Sequence, residues 1–288
     1  MSAFGLLIAL IPAIGWGIQP LILKKIGGTP VNSMLGFGIG ATVIGVIVQL
    51  VCHPSGLSST DLLLSFISGM FWVIGQAGQV SSYDVIGVSK TMPISTGLQL
   101  LGTSIIGVLA FGEWSSWTSK IFGFLAIALL IFGAYLTSLE PKGASNKPTH
   151  LAKGVQILAF TSFGYWFYSA VPKMVNADGL SMFLPQMLGV LVGSVLYASF
   201  KERQAFKAKE SWQCAGVGII FGIASLAYIF SAKLNGVTLA FILTQLNVIL
   251  STLGGIYILK ETKPKRELFL TYLGLVIIVL ASVMTIFL

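Results

Sequence analysis

Charge is what this chain has least of. Only 9% of its 288 residues are Asp, Glu, Lys or Arg, against roughly a quarter in a soluble domain. Cysteine occurs twice, as Cys52 and Cys214, with no CxxC pair, which excludes a disulfide framework. The two histidines, His53 and His150, stand far apart between apolar runs, so a zinc site is excluded too. No HExxH, GxSxG or Walker A sequence occurs, and no acid–base pair lies within an apolar segment. Neither enzyme chemistry nor a cofactor is expected. A cleaved leader is not expected either: Met1–Leu10 lacks a basic start, and the apolar run continues through Gly15-Trp16-Gly17.

What fills the chain is apolar sequence, 55% of it. About ten stretches of ~20 mainly apolar residues, each long enough to span a bilayer, can be marked out. They are Phe4–Leu23, Asn32–Val51, Leu62–Val80, Thr91–Phe111, Thr118–Ser138, Ala152–Val171, Ser181–Phe200, Trp212–Lys233, Val237–Leu259 and Leu268–Leu288. The expected fold is an all-α polytopic membrane protein with ten transmembrane helices.

The net charge of +8 does not imply nucleic acid, because the basic residues are placed by connection. Fourteen of the 17 lie in the odd-numbered connections between spans: Lys24, Lys25, Lys90, Lys142, Lys147, Lys153, Lys201, Arg203, Lys207, Lys209, Lys260, Lys263, Lys265 and Arg266. Lys120, Lys173 and Lys233 make up the rest. Such a bias puts the odd connections in the cytoplasm and both termini outside the cell membrane. The run Lys201–Lys209 then reads as an orientation signal that also meets lipid headgroups.

A polar stripe occurs twice. Thr96, Gln99, Thr103 and Glu113 recur 148 residues later as Thr244, Asn247, Ser251 and Glu261, and Gly15 and Lys24 recur 149 residues later as Gly164 and Lys173. The spacing i, i+3, i+7 puts three hydrogen-bonding side chains on one helix face in each copy. Five spans per half is an odd number, so the second half is inverted relative to the first, the arrangement that alternating access uses. The halves are 1–139 and 152–288, joined by the turn-rich 140–151.

With mid-span charge nearly absent, a binding site must be built from neutral polar and aromatic groups. The third span sets Trp72, Gln76, Gln79 and Tyr83 on one face at i, i+4, i+7 and i+11. The sixth offers Tyr165, Trp166 and Tyr168 after Gly164, matched by Trp16 after Gly15, and the seventh and ninth add Gln186 and Gln245. Amides pair with neighbouring hydroxyls and aromatic rings suit the C–H face of a sugar, so this set fits an uncharged polyol. A charged substrate would want a buried counter-charge. The competing reading is interhelical glue, the simpler one for an isolated residue such as Gln49. Asp84, Glu113 and Glu261 lie at span ends. They read most simply as solvated carboxylates, with gating or proton handling as the sharper alternative.

Seven stretches carry a family likeness. Gly75–Val80, Ile86–Leu100 and Gly112–Ser116 resemble the glucose uptake proteins of Gram-positive bacteria. Phe163–Pro172, Asp178–Leu180 and Phe241–Gln245 look more like the ribose uptake proteins, while Ser251–Ile256 looks shared. The chain thus resembles, essentially end to end, the glucose/ribose porter group of the drug/metabolite transporter superfamily. That resemblance implies a ten-helix carrier importing a monosaccharide together with protons. An exporter of another small polar metabolite on the same architecture is the alternative.

Overall fold

The computed structural model describes residues 3–112, 116–139, 150–175, 177–235, 243–244 and 246–284. Among them are ten α-helices and no strand. The helices are α1 (Ala3–Ile26), α2 (Pro30–Cys52), α3 (Ser59–Ile86), α4 (Val88–Phe111), α5 (Trp117–Ser138), α6 (Leu151–Met174), α7 (Gly179–Lys201), α8 (Lys209–Asn235), α9 (Leu246–Tyr257) and α10 (Lys265–Met284). Eight are long and apolar enough to cross a membrane; α6 has the length but carries Lys153, Gln156, Tyr165, Trp166 and Tyr168, and α9 has 12 residues. This is a multi-pass membrane protein. Glu113, Trp114, Gln245 and residues 140–149 lie outside the described residues.

Local chemistry sets the helix ends. Thr29 caps α2 through Asn32, with Pro30 at the first helical position. Asp178 caps α7 by accepting from the Leu180 N–H at 2.6 Å and the Ser181 N–H at 3.2 Å. α3 runs six residues past the expected end at Val80. The apolar stretch ends at Val80, but the helix carries on through Tyr83 on the same face, and Ser81 and Ser82 donate to their own helix's carbonyls at Ala77 (2.7 Å) and Gly78 (2.9 Å). Gly87, at φ +81°, makes the break.

Helix pairing repeats in a pattern. α2 packs on α8 as α7 packs on α3; α1 packs on α8 as α6 on α3, and on α9 as α6 on α4. α2 with α7, α4 with α9, and α5 with α10 form the remaining major pairs of this pattern. The match extends to single residues. Gly189 lies so close to α3 that a Cβ would overlap the Phe66 carbonyl oxygen; Gly40, 149 residues earlier, stands in the same relation to the Ala215 carbonyl oxygen. Gly15 abuts Ala224, and Gly164 abuts Gly75, again 149 apart on both sides. Because the obstacle at Gly189 is backbone, no rotamer change relieves it. Gly189→Val is expected to destabilise the protein by about 3 kcal/mol, read as a lower unfolding midpoint in detergent.

The connections sort onto two faces. Thr29 Oγ1 donates to Glu202 (2.7 Å), Lys24 pairs with Asp84 (2.6 Å), and Lys263 Nζ donates to the Thr137 carbonyl (2.5 Å). Each contact joins two odd-numbered connections or the helix ends beside them. At the other face Ser55 and Ser181 hydroxyls sit 3.1 Å apart, beside two even-numbered ones.

Candidate functional site

Where α3, α4 and α6 meet, buried polar side chains converge. The α3 periodicity that aligns Trp72, Gln76 and Gln79 turns all three inward, each 7% exposed or less. From α6, the Tyr165 hydroxyl reaches Gln76 Oε1 at 2.5 Å and Gln79 Oε1 at 2.6 Å. From α4, Ser95 donates to Gln79 Oε1 (3.1 Å), and Gln99 Nε2 donates to Ser95 (3.1 Å). Gln79 Nε2 in turn donates to Tyr83 Oη (2.8 Å) and faces Met92 Sδ at 2.9 Å. A phenol has one proton and cannot serve two amide oxygens fully. Turning the Gln76 amide, so that its NH2 donates to Tyr165, leaves the phenol proton free for Gln79 Oε1. Gly75 makes the approach possible: a Cβ there would stand 2.7 Å from the Tyr165 ring.

Aromatic rings close one side. Trp72 meets Phe37 edge-on at 5.4 Å and Tyr165 at 6.4 Å, and lies 4.5 Å from Phe221. On the α1 side, Trp16 and Tyr228 rings are 5.9 Å apart. A recess of about 40 Å³ borders the network through Tyr83, with Leu23, Lys24, Ser33 and Asp84 around it. A second, of about 30 Å³, lies between Thr103, Phe111, Trp166 and Ser169. Either has room for a water, far below the roughly 300–1,000 Å³ of a small-molecule pocket.

Of the residues singled out by sequence, Trp72, Gln76, Gln79, Gln99 and Tyr165 come together. Trp166 and Thr103 are separate from them: the indole N–H donates to the Leu98 carbonyl (2.9 Å), and both side chains line the smaller recess. Thr103 and Ser251 donate to carbonyls of their own helices, at Gln99 (2.8 Å) and Asn247 (2.7 Å). Thr96 is half-buried, Thr244 is buried, and Tyr168 packs against the main apolar core. Gln186 donates to Ser68 across α7 and α3 at 3.2 Å. Asn247 leaves its buried Oδ1 without a partner among the described residues.

The span-end carboxylates divide. Asp84 is exposed and paired with Lys24, a surface contact worth little. Glu261 is half-buried rather than freely solvated: its two oxygens accept from the Val88 and Ser89 N–H groups at 2.7 and 2.8 Å, seating the carboxylate on the N-terminus of α4. Periodicity missed Ser95 and Met92. Ser95 stands one turn before Gln99, and that i−4 spacing is the signal that could have found it.

Comparison with known proteins adds an independent line. A family model described as sugar transport protein matches residues 7–288. A protein assigned by name to sugar uptake in Lactobacillus helveticus is 46% identical over 280 residues, 96% of this chain and 98% of that one. Another, assigned by name to ribose uptake in Staphylococcus aureus, is 38% identical over 291 residues, 100% of this chain and 99% of that one. One solved crystal structure superposes with a TM-score of 0.61 at 16% identity, covering 96% of each chain. At that identity the likeness concerns fold alone.

Proposed function

The chain belongs to the sugar transport protein family, and from that membership we propose that it is a secondary carrier importing a monosaccharide, glucose or ribose. The observation that carries this reading is the Gln76–Gln79–Tyr165–Ser95–Gln99 network beside Trp72. It offers hydroxyl-pairing amides and an aromatic wall with no buried ion. The names of the relatives, sugar uptake and ribose uptake, favour the same substrate class and direction. The stripe residues Thr96, Thr103, Thr244, Asn247 and Ser251, with Trp16, Trp166, Tyr168, Gln186 and Gln245, complete the proposed path.

Alternating access proceeds through ten spans in two inverted halves, 1–139 and 152–288, with 140–151 as the joint. The helix pairs and glycine contacts that recur at an offset of 149 support the repeat. The water-sized recesses mean that the walls must part for a sugar to enter. The basic odd-numbered connections face the cytoplasm and both termini face outward. Entry is coupled to protons through Glu113 or Asp84, because Glu261 has both oxygens committed to backbone N–H groups and serves as a gate.

Labelled glucose and ribose uptake, in a host lacking its own carriers, tests the reading. Accumulation that depends on the chain, competes with unlabelled sugar and collapses with a protonophore is expected. Equal accumulation with and without the chain for every pentose and hexose overturns it; insensitivity to the protonophore removes the proton. Tags at either terminus should be reachable from outside intact cells, and reach only from the cytoplasm reverses the orientation.

A further inference from the structure

The wall facing the α3–α6 network is furnished differently from it. α1 carries Trp16, Gln19 and Leu23 at i, i+3 and i+7, one stripe of the helix. Trp16 lies against Tyr228 at one end of that stripe, and Leu23 lines the recess shared with Tyr83 at the other. Gln19 sits between them, 6% exposed. Its Nε2 has no partner among the described residues, and neither has the indole nitrogen of Trp16. On α9, which packs on α1 through Gly17 and Leu250, the buried Asn247 Oδ1 and Thr252 Oγ1 are equally unpartnered.

The offset of 149 sharpens the contrast. It matches Trp16 with Tyr165 and Tyr228 with Gln79, so both pairs occupy corresponding contacts of α1 with α8 and α6 with α3. In one pair the polar groups satisfy each other. In the other the rings touch but the Trp16 indole N–H has no partner among the described residues, and inside the membrane an unmet group is costly. Open groups of this kind await either water or a polar solute.

We infer that Gln19 is a substrate-contacting, specificity-determining residue whose side-chain amide donates to a hydroxyl of the sugar. The inference rests on the sugar-carrier reading. It makes one wall a network that must be opened and the other a set of contacts ready for the solute. Gln19 rather than Trp16 fixes which hydroxyl is read, because its amide is directional while an indole face accepts any C–H surface.

The test is Gln19→Met, similar in length but without the amide, measured with the parent sugar and its monodeoxy analogues in cells carrying the full chain. The variant is expected to raise KM for the parent sugar about tenfold, the loss of one net hydrogen bond. Membrane level and unfolding midpoint should match wild type. For the one analogue lacking the hydroxyl that Gln19 reads, wild type and variant should show the same KM. An equal rise for every analogue, or a change in maximal rate alone, overturns the inference and returns Gln19 to packing or a bound water. If Gln19→Met fails to reach the membrane, Gln19→Asn is read in the same way. Wild-type failure to carry any sugar overturns the carrier reading beneath it, whereas normal wild-type uptake with an indifferent Gln19→Met overturns this inference alone.

Discussion

Gln79→Leu is expected to reduce labelled-sugar uptake to the background of cells without the chain, with membrane level close to wild type. Gln79 is the hub at which α3, α4 and α6 are joined: its oxygen meets Tyr165 and Ser95, and its nitrogen meets Tyr83 and Met92. Leucine fills much the same volume and keeps the packing. The polar groups left behind have partial refuges, since Tyr165 can turn wholly to Gln76 and Ser95 can bond back to its own helix. The stability cost therefore stays near that of one unsatisfied group, about 1–3 kcal/mol. Recognition has no such refuge, because among the described residues no other side chain on that wall joins α3, α4 and α6 as both donor and acceptor. Uptake at the wild-type rate would make the network interhelical glue.

Periodicity was enough to find the heart of this buried polar network. Trp72, Gln76 and Gln79 are legible because a 3.6-residue repeat forces them onto one face whatever the surroundings. Tyr165 is legible because it follows a glycine that recurs in both halves. Residues whose rhythm is fainter stayed hidden: Ser95 is marked only by standing one turn before Gln99, and Gln19 only by standing three residues after Trp16. Helix ends misled for another reason. Ser81 and Ser82 have loop-like composition, but in a membrane helix their hydroxyls bond inward to carbonyls one turn back. Glu261 was least legible of all, since its partners Val88 and Ser89 are 173 and 172 residues away in the chain.

That distant contact carries the second large effect. Glu261→Ala is expected to abolish most uptake and to open the protein at the face that holds Lys24. The carboxylate is seated deliberately: Gly87 at φ +81° and Gly255 both leave room for it, and a Cβ on either would stand 2.9 or 3.0 Å from its carboxylate atoms. It ties the chain after α9 to the start of α4, and so one proposed half to the other at a single face. Two charge-assisted bonds to a helix N-terminus contribute about 3 kcal/mol to the closed arrangement. Losing them shifts the balance towards the open arrangement by on the order of a hundredfold. The measurement uses Ser89→Cys, buried at 2% exposure beside the carboxylate, with Cys52 replaced by alanine. Labelling by a membrane-impermeant maleimide from the Lys24 face should rise many-fold when Glu261→Ala is added. Gly87→Ala, which strains the backbone and crowds the same carboxylate, should move labelling in the same direction while leaving Glu261 in place. If neither variant changes the labelling rate, Glu261 is an ordinary helix cap and the gate lies elsewhere. A rise seen with Glu261→Ala alone would tie the gate to the charge rather than to the shape of its seat.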